Sequence, residues 1–99
     1  MPEESEKRAN LLHLLQYYRK KLDRITERLI KLIGERDRIV LEIGKAKKSL
    51  GLGITDSRRE EEVIEKAREL AMKKGVDPEL VEEIMKVLIT HAKKIQKDS

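Results

Sequence analysis

Residues 15–50 read LQYYRKKLDRITERLIKLIGERDRIVLEIGKAKKSL. Steps of three and four residues along this stretch pick out Leu15, Tyr18, Leu22, Ile25, Leu29, Leu32, Arg36, Ile39, Ile43, Ala46 and Leu50. A 3-4 repeat held over five heptads is the mark of a long helix that lays one stripe against another helix. Ten of the eleven positions are apolar and one is a guanidinium. An unpaired buried charge costs several kcal/mol, so Arg36 needs compensation. Lys47 follows three helical turns later, roughly 16 Å along the axis and on nearly the same face. Two cations on an inward face imply a pocket for an anion.

Working outward, this helix runs from about Glu6 to Leu50, with Pro2 before it and Gly51 and Gly53 after it. Gly34 and Gly44 fall inside it, and each costs about 1 kcal/mol against Ala. Close approach of another helix or a ligand explains them, and so does surface tolerance. A second helix, 57–74, follows the connector Leu50-Gly51-Leu52-Gly53-Ile54-Thr55. It starts at Asp56 or Ser57, and Ser57-Arg58-Arg59-Glu60 fits the capping-box pattern. Its apolar face is Val63, Ile64, Ala67, Leu70 and Ala71, and Gly75 stops it. A third helix, 78–97, takes Asp77 as cap and Pro78 as first helical residue. Val76 and Val81 have hydrophobic-staple spacing, and Leu80, Val81, Ile84, Val87, Leu88 and Ile95 make its inner face. The fold class expected is all-α, with one long and two shorter helices in a single domain over 1–99.

A helix of some 45 residues spans about 65 Å, and two helices of about 20 residues cover only part of it. The segment Leu15 to Leu32 therefore needs a partner, and a twofold homodimer is the simplest supplier. Composition points the same way. The 99 residues include two tyrosines and no Phe or Trp, and a chain so small buries a limited core by itself.

Charge narrows the function classes. Charged residues make up 42% of the chain with a net charge of +4, a mixed surface with a mild pull on anions. No long Lys/Arg run or interleaved aromatics suggest a nucleic-acid partner, and Lys45, Lys47 and Lys48 are too short a cluster for one. There is no Cys, which removes disulfides, thiolate chemistry and Cys-based zinc sites. No apolar run nears the roughly 20 residues of a membrane span. The acidic start, Met1-Pro2-Glu3-Glu4-Ser5-Glu6, lacks a signal-peptide core, so the cytoplasm is the expected location. The abundance of Lys, Arg and Glu with one Asn, two Gln and no Cys resembles a thermophile's composition. His13 and His91 lie far apart with no third ligand at useful spacing, so surface or interface roles suit them better than a metal.

Arg19 precedes Arg36 by about 26 Å of helix and points to a different side, so one chain cannot bring both to a small ligand. In an antiparallel dimer crossing near Glu27 and Arg28, Arg19 of one chain arrives beside Arg36 of the other. Two equivalent pockets result, each with Arg36 and Lys47 from one chain and Arg19 from its partner. The start of the second helix offers Asp56, Arg59 and Glu60, and the third helix offers Gln96 to close the pocket.

Arg19-Lys20-Lys21-Leu22-Asp23, Gly34-Glu35-Arg36, Glu42-Ile43-Gly44-Lys45-Ala46-Lys47, Asp56-Ser57-Arg58-Arg59-Glu60 and Gln96 together resemble the all-helical (AroQ-type) chorismate mutases. The resemblance covers about residues 11 to 98. It implies an intertwined antiparallel homodimer and the conversion of chorismate to prephenate, a pericyclic Claisen rearrangement on the route to phenylalanine and tyrosine. It also implies roles. Arg36 and the Arg19 supplied in trans clamp the substrate's two carboxylates, which suits the planar fork of Arg. Lys47 meets a carboxylate and the ether oxygen, to which Gln96 also donates. Glu60 accepts from the ring hydroxyl with Asp56 nearby, and Arg59 braces Glu60 and the ligand. Such a reaction uses no nucleophile, metal or cofactor.

Two positions depart from the family's habit. Ala92 stands where a hydroxyl residue is common in the carboxylate contact, and Lys93 where an apolar wall is common. Taken singly, Arg36 reads equally well as an interfacial arginine paired with a partner's carboxylate, Lys47 and Arg19 as solvated charges, and Asp56 as a helix cap. Tyr17 and Tyr18 read as residues of the dimer seam. Rival functions are an isochorismate-pyruvate lyase of the same fold and a non-catalytic helical dimerisation module, with a nucleic-acid binder more distant.

Overall fold

Three helices, α1 (Pro2–Ser49), α2 (Ser57–Lys74) and α3 (Pro78–Asp98), make up the computed structural model. It describes residues 2–99; Met1 lies outside the described residues, as does the side chain of Pro2. Helix α1 begins at Pro2 rather than near Glu6. Proline is suited to a first helical turn, and Glu3 and Glu4 there, with Lys47 and Lys48 in the last turn, complement the helix dipole.

Helices α1 and α2 end in the same way. Gly51 (φ 70°) donates its N–H to the Lys48 carbonyl at 3.2 Å while Leu52 N–H reaches Lys47 at 2.8 Å. Gly75 (φ 69°) and Val76 repeat the pattern on Met72 (3.3 Å) and Ala71 (2.8 Å). This left-handed turn satisfies the last carbonyls, and only glycine enters it without strain. At the start of α2 the reading of Asp56 as the cap holds and the capping box on Ser57 does not. Ser57 is the first helical residue, and the cap is Asp56, whose carboxylate accepts from Arg59 N–H at 3.1 Å. Asp56 keeps a non-helical backbone and a carboxylate short enough to reach the exposed donor. At α3 the cap is Asp77, accepting from Glu79 N–H at 3.0 Å, with Pro78 next.

The chain divides into two compact units, Met1–Glu35 and Arg36–Ser99. The first is a single length of α1, and every described side chain from Glu3 to Ile33 is exposed. Leu22 (61%), Leu29 (55%) and Leu32 (58%) of the apolar stripe stand open.

The second unit holds the end of α1 with α2 and α3. Val40 and Ala71 are its buried apolar residues and Gln96 its buried polar one. Val63, Ile64 and Ala67 of α2 and Val81, Met85, Leu88, Ile89, Ala92 and Ile95 of α3 are half-buried around them. Leu70, Leu80, Ile84 and Val87, expected on inner faces, are exposed instead. Helix α3 is thus apolar on two sides, and one chain covers one of them. Arg68 of α2 ties to Glu79 (3.4 Å) and Glu82 (3.8 Å) of α3, and His91 of α3 to Asp37 of α1 (3.2 Å). Among the described residues, no helix is long and apolar enough to cross a membrane.

Candidate active site

Residues 36, 40, 43 and 47 recur at helical spacing and so share one face of α1. They are Arg36, Val40, Ile43 and Lys47, and they form one wall of a cleft of about 220 Å3. The first turns of α2 supply Asp56, Arg59, Glu60 and Val63; α3 supplies Ile89, Ala92, Lys93 and Gln96; Ile54 of the connector completes the lining. Four cations face two carboxylates, a surplus of two positive charges that favours anions over cations in the cleft.

Gln96 is held against α1 because position 44 is glycine. A Cβ built on Gly44 falls 2.9 Å from Gln96 Cγ, closer than carbon atoms tolerate, and 3.3 Å from Gln96 Cβ, a tight contact. Close approach of another helix is therefore the reason for this glycine. The carboxamide is then fixed at both ends. Nε2 donates to the Val40 carbonyl at 3.3 Å, and Oε1 accepts from Lys47 Nζ at 3.3 Å. The orientation is dictated by chemistry, since an ammonium only donates and a carbonyl only accepts. Lys47 Nζ also donates to the Ile54 carbonyl at 2.9 Å. Its third hydrogen and the second Gln96 amide hydrogen remain for a ligand.

The carboxylate of Glu60 pairs with Lys93, with Oε1 2.6 Å from Nζ. The brace of Glu60 is thus Lys93 and not Arg59, the residue expected there, whose guanidinium lies 3.9 Å from Glu62. Arg36 is half-buried and forms no ion pair among the described residues, which leaves its fork open to an anion. Ala92 presents only a methyl group. His91, paired with Asp37, is not among the lining residues. Arg19 does not line the cleft either; it sits exposed in the Met1–Glu35 unit.

Seven sequence-derived candidates therefore meet in one cleft: Arg36, Lys47, Asp56, Arg59, Glu60, Ala92 and Gln96. Sequence reasoning missed the Val40 and Ile54 carbonyls, because a backbone acceptor leaves no trace in residue type. It noticed Lys93 as a departure but not its partner. Helical spacing was the available signal, since Lys93 follows Ile89 by one turn and precedes Gln96 by three residues.

Residues 18–97 match the family of type II chorismate mutases. The chorismate mutase of Methanocaldococcus jannaschii is 33% identical over 87 residues, which cover 88% of this chain and 88% of that protein.

Proposed function

The chain belongs to the type II chorismate mutase family, and we propose on that premise that it is an isomerase converting chorismate to prephenate. In this rearrangement the ether C–O bond breaks as a new C–C bond forms. No proton or covalent intermediate passes through the protein. The work left to the enzyme is to hold a compact, chair-like conformer and to stabilise negative charge growing on the ether oxygen. Orientation does the first, and preorganised donors the second.

The observation that carries the reading is the Lys47–Gln96 pair, two donors braced against each other and the backbone, each with an N–H to spare. Aimed at the ether oxygen, a donor fixed in this way contributes about 3 to 4 kcal/mol to the transition state. Arg36 takes one carboxylate in a bidentate pair, and Lys47 assists. Glu60 accepts from the ring hydroxyl, with Asp56 close by at the head of α2. Arg59 adds positive potential around the ligand. At Ala92 a water replaces a hydroxyl contact. Gln96 has no titratable group, so its contribution does not vanish on either side of neutral pH.

A second copy of the chain completes the site in this proposal. The exposed stripe from Leu15 to Leu32 on one chain is covered by the same stripe on another, running antiparallel. Arg19 of the partner then reaches the cleft and clamps the other carboxylate. The two units of each chain function as one mutase domain in that assembly, soluble in the cytoplasm.

The test follows chorismate loss by ultraviolet absorbance and identifies the product. Prephenate from the unmodified protein, abolished in a folded Lys47→Ala variant, supports the reading. Turnover of isochorismate alone moves the protein to the lyase reaction, and turnover of neither leaves a non-catalytic helical module.

A further inference from the structure

Lys93 is the one cation of the cleft whose charge is committed to a cleft carboxylate among the described residues, at 2.6 Å from Glu60. Both side chains are partly shielded, Glu60 at 24% exposure and Lys93 at 38%. Glu60 occupies an awkward place for an anion, because the proposed substrate is itself a dianion and shares the same cleft. Alone, its carboxylate repels the ligand it is meant to recognise. It is also free to rotate toward Arg59, one residue away, or to water. The Lys93 ammonium removes both problems at once: it cancels the local charge, and by engaging Oε1 it leaves Oε2 as the acceptor. The fixed points are on different elements, since Glu60 belongs to the first turn of α2 and Lys93 to the last turns of α3. The carboxylate is therefore set by packing between helices rather than by a neighbour in its own turn.

We infer that Lys93 is a positioning residue that sets substrate specificity by holding Glu60 as an acceptor for the ring hydroxyl. The inference rests on the proposed mutase function. Lys93 acts through Glu60 and does not itself touch the reacting atoms. The hydroxyl sits on the ring carbon next to the one whose C–O bond breaks, but its own bonds are unchanged by the rearrangement, so its contact is about equally strong in substrate and transition state. Loss of such uniform binding raises KM and leaves kcat nearly unchanged.

The experiment compares chorismate with an analogue lacking the ring hydroxyl, using the unmodified enzyme, Lys93→Met and Lys93→Arg. Methionine keeps the length and apolar stem of lysine without its charge; arginine keeps the charge. Preference for the hydroxyl-bearing compound, read as a ratio of kcat/KM, is expected to fall roughly tenfold in Lys93→Met, mainly through KM, and to stay within about twofold in Lys93→Arg. A role in folding, or direct attraction of the dianion, affects both compounds alike and leaves the ratio intact. An unchanged ratio in Lys93→Met, or an unmodified enzyme without any preference, therefore overturns the Lys93 assignment and leaves the proposed function standing. An unmodified protein that turns over neither compound overturns the proposed function and the assignment together.

Discussion

The Met1–Glu35 and Arg36–Ser99 units share one helix and come to different ends. In the first, every described side chain from Glu3 to Ile33 is exposed. In the second, Val40 is covered to 6% and Gln96 to 9% exposure, and a cleft opens among charged side chains. The stripe itself stays open in both units, with Ile39 (61%), Ile43 (46%) and Leu50 (72%) exposed, and the covered line of the second unit is the adjacent one through Val40, Gly44 and Lys47. What differs is the presence of α2 and α3. An amphipathic stripe specifies that something must cover it, but not which chain supplies the cover.

The largest expected effect tests whether the two units cooperate between chains. Arg19→Ala and Lys47→Ala, one from each unit, are each expected to lose about 100- to 1,000-fold in kcat/KM. Mixing the two inactive proteins with subunit exchange produces a heterodimer with one doubly damaged site and one intact site. Steady-state assays should then recover up to about half the activity of that heterodimer. Exchange shown by mass spectrometry without any recovery removes Arg19 from the site in trans.

Next in size is a break in the uncovered stripe. Ile25→Glu places a carboxylate in the seam of the proposed dimer, where an unpaired charge costs about 3 kcal/mol or more. Sedimentation should show loss of the dimer, with a lower unfolding midpoint in circular dichroism. A variant that sediments and melts like the unmodified protein means that the first unit is covered by something other than a second copy.

The smallest effect sharpens the contrast from the covered side. Gly44→Ala gains about 1 kcal/mol of helix propensity but forces a methyl group against Gln96, an overpacking cost of about 1–3 kcal/mol. The net change in stability is small, while Gln96 loses its place. A fall of about tenfold in kcat, with the melting temperature nearly constant, is the expected signature. An unchanged kcat means that Gln96 adjusts freely and is not held by α1 as argued.

The primary structure alone determined the three helices, their glycine stops and the apolar stripe, because local backbone chemistry and 3.6-residue periodicity act over a few turns. It also singled out the seven residues that meet in the cleft, through helical spacing and the resemblance they carry jointly. The tertiary structure decided what depends on contacts between distant segments. Of the two caps the sequence offers for α2, Asp56 and Ser57, the backbone angles select Asp56. Leu80, Ile84 and Val87 face away from α1 and α2 because a helix apolar on two sides does not announce which one its own chain covers. Lys93 braces Glu60, and the Val40 and Ile54 carbonyls hold Gln96 and Lys47. Hydrogen bonds and ion pairs are satisfied in three dimensions, between groups that the sequence separates by as many as 56 residues.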